Sequence, residues 1–250
     1  MAVLRDWELL LDADKVLWGQ GADPAAIRAR RPKLAAFAEQ VIEESRALIQ
    51  PAVCYERFPV KELRHERLAL GGPAPQGGQG GYLAGPLIAQ HLAGAQEILI
   101  AVCTVGDSLG KLSSELFASD PVRGLALDGL ASAAAEALGE AACRRFEAMA
   151  AAEGEKTSIP LNPGMVGWPL QEGQKQVFDL IDASDIGVRL NGDSGLMLPL
   201  KSLSLVMGFG HDLDRAGRSC DYCAMNETCR YKDHYDKGIG NREQGIGAPT

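Results

Sequence analysis

The sequence predicts an α+β fold, and three observations carry that reading. Residues 97–105 form an apolar run, with five of nine positions Ile, Leu or Val, as a buried strand requires. A long alanine-rich helix is expected from Asp120-Pro121 to about residue 152, opened by a proline whose missing amide hydrogen costs nothing there. Strand-like and helix-like segments follow one another without the regular alternation of a parallel α/β sheet. The chain has 250 residues, 46% of them hydrophobic, enough for one large domain or two small ones.

The N-terminal 50 residues read as helical. Asp12 is placed to cap a turn through Val16 and Leu17, and Asp23-Pro24 opens a second helix. Ile27, Leu34, Phe37, Val41 and Leu48 recur at helical spacing, so residues 25–49 are expected as one helix ended by Pro51. Residues 53–60 and 62–70 alternate as half-buried strands. The glycine-rich segment 71–85 is expected as a loop; it lacks the lysine and Ser/Thr of a phosphate-binding P-loop. Helices follow at 87–92 and 108–118. On the long helix Asp128, Ser132 and Glu136 share one face at i, i+4, i+8. A helix at 171–183 and strands at 186–190, 195–198 and 203–209 complete the reading.

Net charge −8 without a long basic run argues against sequence-independent nucleic-acid binding, which needs several cations against phosphates. No run of about 18 apolar residues is present, and residues 1–7 do not resemble a signal peptide. A soluble, cytoplasmic protein is expected, with no membrane or nucleic-acid partner.

Cys220, Cys223 and Cys229 form a C-x2-C-x5-C segment whose spacing lets three thiolates converge on one ion. A [4Fe–4S] cluster or zinc both suit it. The fourth ligand is open among Cys54, Cys103, Cys143, His211, His234 and an exogenous molecule. Cys103 and Cys143 read as small apolar residues, and three free thiols are the plain alternative.

Residues 162–210 carry the most specific pattern. Asn162-Pro163-Gly164-Met165-Val166-Gly167-Trp168-Pro169 leads into a helix with Gln174 and Phe178. Ile186-Gly187-Val188-Arg189-Leu190 and then Met197-Leu198-Pro199-Leu200-Lys201-Ser202-Leu203-Ser204 follow. In this order, with residues 101–106, 128–136 and the helical N-terminus, the set resembles the activation (reactivation) domain of cobalamin-dependent methionine synthase, particularly its stand-alone relatives. The resemblance spans about residues 1–210. The Cys-rich tail, 211–250, resembles tails on free-standing members associated with corrinoid methyl transfer.

The resemblance implies a C-shaped α+β domain with a twisted antiparallel sheet flanked by helices. In the synthase that domain binds S-adenosylmethionine and docks onto the cobalamin domain, where cob(II)alamin is reduced and then methylated. The family's cofactor loop runs arginine, three residues, Gly-Tyr, two residues, Cys-Pro. Gly164 and Pro169 match it, while Pro160, Met165 and Trp168 stand at the arginine, tyrosine and cysteine positions. The missing arginine removes a forked partner for a carboxylate. Asp128 and Glu136 match acidic positions, and Ser202 and Ser204 the Ser-x-Ser after the last proline. The implied cofactor-binding set is therefore Asp128, Glu136, Gly164, Met165, Trp168, Pro169, Ser202 and Ser204. Read without the resemblance, the prolines and glycines shape a turn on which Met165 and Trp168 pack, and the two carboxylates lie on a solvated helix face. Lys201 is expected to face solvent.

The leading expectation is a reductive activator of a corrinoid (vitamin B12)-dependent methyltransferase or methionine synthase partner. S-adenosylmethionine would be its methyl donor and a tail iron–sulfur cluster its electron relay. The alternative is a non-catalytic docking subunit with a zinc-stapled tail. No catalytic residue is assigned, and no Gly-rich Rossmann loop follows the best strand.

Overall fold

The computed structural model of the chain describes residues 1–73, 79–213 and 217–227. It begins with β1 (Ala2–Leu4), α1 (Ala13–Gly19), α2 (Pro24–Arg30) and α3 (Pro32–Ser45). The caps are those the sequence announces: Asp12 Oδ1 accepts the Lys15 amide at 2.8 Å, and Asp23 accepts the amides of Ala25 and Ala26. The single helix expected over 25–49 is instead two. Arg31 precedes Pro32 and leaves the helical region (φ −144°, ψ 57°), because the proline ring crowds the backbone before it.

The sheet is built from β2 (Ala52–Arg64), β3 (Arg67–Pro73), β4 (Gln79–Ala84), β5 (Glu97–Thr104), β6 (Lys156–Thr157) and β9 (Ser202–Gly210). Their order is β4-β3-β2-β5-β9-β6, with β1 paired to β2, and every pairing is antiparallel. Between them run α4 (Pro86–Leu92), α5 (Ser108–Leu116), α6 (Pro121–Ala152), α7 (Leu170–Leu180) and a small hairpin, β7 (Arg189–Asn191) with β8 (Leu196–Leu198). The segment 71–85, expected as loop, is mostly strand: β3 runs to Pro73 and β4 starts at Gln79. Its glycines serve close approach. A Cβ on Gly81 would lie 2.6 Å from Leu180 Cδ2, and one on Gly80 2.4 Å from the Leu70 carbonyl oxygen.

Strand alternation divides the sheet into two apolar faces. Val53, Leu99, Ala101, Leu205, Met207 and Phe209 pack under α6 through Ala134, Leu138, Ala142 and Phe146. The opposite face, with Phe58, Ile98, Ile100, Val102 and Val206, is covered by α4, α7, Leu161 and Trp168. The N-terminal half of α6 is sheathed instead by α1, α3 and α5. α1 crosses α6 at glycine on glycine: a Cβ on Gly19 would lie 2.4 Å from the Gly129 carbonyl oxygen. Side chains at that crossing would force the helices apart.

Arg57 fastens the far corner of the sheet. It pairs with Glu97, with Glu153 at 2.7 Å and with Glu155 at 3.0 Å, and its guanidinium lies 4.6 Å from the Phe209 ring centroid. No described helix is long and apolar enough to cross a membrane.

Candidate functional site

Residues 160–169 leave the sheet after an isolated bridge from Leu161 to Val206 of β9 and cross to the start of α7. The turn closes on itself. The Gly164 amide donates to the Trp168 carbonyl at 2.8 Å, and the Trp168 amide to the Met165 carbonyl at 2.9 Å. Gly164 (φ +101°) and Gly167 (φ +87°) hold conformations that side chains resist. Gly164 and Pro169 are exposed and Met165 is half-buried. Trp168 is 0% exposed, a core residue whose Nε1–H donates to Gln176 Oε1 at 3.2 Å. Its ring lies so close to Gly173 that a Cβ there would meet Trp168 Cε2 at 3.0 Å. The indole thus anchors the loop from below and presents no face to a ligand.

Beneath the turn lies a polar row. Ser204 is 3% exposed; its hydroxyl donates to Gln174 Oε1 at 3.1 Å and its carbonyl accepts Asn162 Nδ2 at 2.7 Å. Ser202, two positions earlier on the same face and so about 7 Å away, donates to Thr104 Oγ1 at 2.9 Å. Lys201 does not simply face solvent, because its ammonium joins Asp128 of α6 at 2.9 Å and the Ser132 hydroxyl at 2.8 Å. Asn162 thus ties the turn to Ser204 at the start of β9, whereas Asp128 meets Lys201 on the α6 side of the sheet, across from Ser202 and Ser204. Glu136 is exposed two turns farther along α6, roughly 12 Å from Asp128 by helical rise.

The polar tail returns to this turn. The Val166 amide donates to the Tyr222 carbonyl at 2.8 Å, and the Ser219 hydroxyl to the Pro160 carbonyl at 3.1 Å. The Tyr222 ring meets His91 of α4 edge-on, centroids 4.5 Å apart, and Gln90 Nε2 lies 3.4 Å from its hydroxyl. His91 is 6% exposed, Nε2 has no hydrogen-bond partner, and burial pushes its pKa down. Cys220, in a short 3-10 turn (Ser219–Tyr222), and Cys223, just after it, are both half-buried. Cys229 and His234 lie outside the described residues. Among those described, no three His, Cys, Asp or Glu side chains converge to hold a metal ion. Cys54 and Cys103 are deep in the sheet, where burial raises the thiol pKa, to about 11 for Cys54.

Two comparisons return nothing: no protein-family profile matches the chain, and no curated protein matches it by sequence. Solved structures do match. The crystal structure of the MetH reactivation domain bound to AdoHcy superposes with a TM-score of 0.60 over 96% of this chain and 86% of that one, at 13% identity. The chain has the reactivation-domain fold. Of the expected residues, Ser202, Ser204, Gly164, Met165 and Pro169 lie on the turn side of the sheet, Asp128 and Glu136 lie on α6 across it, and Trp168 is turned into the core. Asn162, Gln174, His91 and Tyr222 were not singled out from sequence as site residues. Asn162 and Gln174 fell within the ordered pattern over 162–210, and Tyr222 is an aromatic set between two cysteines in a polar tail; His91 carried no local signal.

Proposed function

We propose that this chain is an activation module for a corrinoid-dependent methyl-transfer system, acting on a partner that carries the corrinoid. The observation supporting this is that nearly the whole chain follows a reactivation domain whose structure is bound to AdoHcy. In the reaction proposed, cobalt(II) on the partner takes one electron from a reduced flavoprotein or iron–sulfur protein. The cobalt(I) formed attacks the sulfonium methyl of S-adenosylmethionine, giving methylcobalt(III) and S-adenosylhomocysteine. The reduction is unfavourable, and the methylation draws it forward.

The chain's own part is binding and orientation. Gly164, Met165 and Pro169 form the exposed lip of the site, and the Asn162–Ser204–Gln174 network holds that lip on β9. Ser202 extends the polar row along β9, and the Lys201–Asp128 ion pair lies on the α6 side of the sheet. Cys220 and Cys223, joined by Cys229, are proposed ligands for zinc or a [4Fe–4S] cluster, and a cluster there would relay the electron.

A second reading is a corrinoid-protein docking subunit without methyl transfer of its own. Pro160 favours it, because proline offers no charge at the position where a carboxylate partner is expected and its carbonyl is taken by Ser219. Anaerobic mixing of the full chain with a cobalt(II) corrinoid protein, S-adenosylmethionine and a one-electron reductant tests the first reading. Faster loss of the cobalt(II) paramagnetic signal with the chain present is expected, and methylated corrinoid should accumulate. Rates equal with and without the chain would overturn it. Iron, sulfide and zinc analysis of anaerobically purified protein decides the tail's metal.

A further inference from the structure

The Val166 amide and the Pro160 carbonyl of the 160–168 turn are already taken, by the chain's own tail. Leu213 is 5% exposed and packs in the core below α4, so the tail is tethered there. Nine residues later Tyr222 delivers its carbonyl to the Val166 amide and its ring to His91. The Cys223 amide donates to the Cys220 carbonyl at 3.2 Å, closing the turn that presents Tyr222. Gly217, at φ +82°, supplies a bend where the strand of contacts begins.

Two features mark this contact as detachable. It is shallow, with none of residues 217–223 buried, so its opening free energy lies far below that of global unfolding. It also covers a group suited to other partners, since His91 Nε2 is buried there without a hydrogen bond. Removing Tyr222 frees the Val166 amide, a donor, and uncovers the side of the His91 ring that Tyr222 meets. We propose that residues 217–223 are a strap across the Val166 amide and the His91 ring, so that a ligand reaches them only when Tyr222 leaves. A tethered strap competes at high effective concentration, and apparent affinity falls by the fraction of chains that are open. The ligand part of this inference rests on the S-adenosyl reading above.

Hydrogen–deuterium exchange on the full chain tests the strap. Tyr222→Ala keeps the backbone carbonyl but removes the ring, and the Val166 amide should then exchange about tenfold faster or more. Tyr222→Phe, which keeps the ring edge on His91, should stay near the native rate. Unchanged protection of Val166 in Tyr222→Ala would overturn the proposal. Calorimetric titration with S-adenosylhomocysteine adds the ligand arm: Tyr222→Ala should bind about tenfold tighter than the native chain. Equal, measurable affinities would overturn the exclusion of ligand by tail. Faster exchange with no binding by either chain would leave the strap standing and remove the S-adenosyl reading instead.

Discussion

The Lys201 ammonium sits 2.9 Å from Asp128 Oδ1 and 2.8 Å from the Ser132 hydroxyl, tying the first residue before β9 to the long helix α6. Both charged side chains remain partly exposed, 24% and 38%, so water and salt screen the pair. Lys201→Ala and Asp128→Ala should each lower unfolding free energy by about 1 kcal/mol or less. A double-mutant cycle by urea denaturation should return a coupling of roughly 0.5 kcal/mol that shrinks in high salt. A coupling unaffected by salt would contradict the exposure argument.

Trp168 is the opposite case. Truncation to Ala removes a fully buried indole and should cost about 3–5 kcal/mol. Trp168→Phe should cost clearly less, because Gln176 Oε1 still accepts the Ala84 amide at 2.9 Å when the indole N–H is gone. Val166→Ala, in the same turn but 60% exposed, should change stability by less than about 0.5 kcal/mol. Urea midpoints rank the three.

His91 sets a pH dependence with a definite sign. Burial pushes its pKa below the ordinary value of 6.5, so the unfolded chain takes the proton first as pH falls. Its contribution to stability is whole above about pH 6.5, falls as pH drops below that, and levels once pH passes the folded value. Urea midpoints at about pH 7.5 and about pH 5.5 measure it. In His91→Gln the difference between the two should narrow, and an unchanged difference would assign the effect to other groups.

The thiols should sort by burial. Cys54, pushed up to about 11, and Cys103, also raised by burial, are fully enclosed and should resist iodoacetamide in the native chain at mildly alkaline pH. Cys220 and Cys223 are half-buried on the tail and should react first. Mass spectrometry after timed alkylation reads the order, and early labelling of Cys54 would count against the packed sheet.

Short-range chemistry was legible in the sequence wherever it acts between near neighbours. Asp12, Asp23-Pro24 and Asp120-Pro121 start helices where their capping geometry requires, and the apolar run at 97–105 is the central strand β5. The ordered motifs over 162–210 also carried a fold likeness that the superposition bears out. Tertiary structure alone decided what depends on approach between distant segments. The glycines of 71–85 read as a loop because glycine is weak in an isolated strand, yet Leu180 and the Leu70 carbonyl demand residues without a Cβ there. Trp168 went inward because α7 offers Gly173 to receive it, and Lys201 found Asp128 across 73 positions of chain. The tail's seat on Val166 follows the same logic: a backbone amide carries no side-chain label, so only the folded chain could reveal which carbonyl it meets.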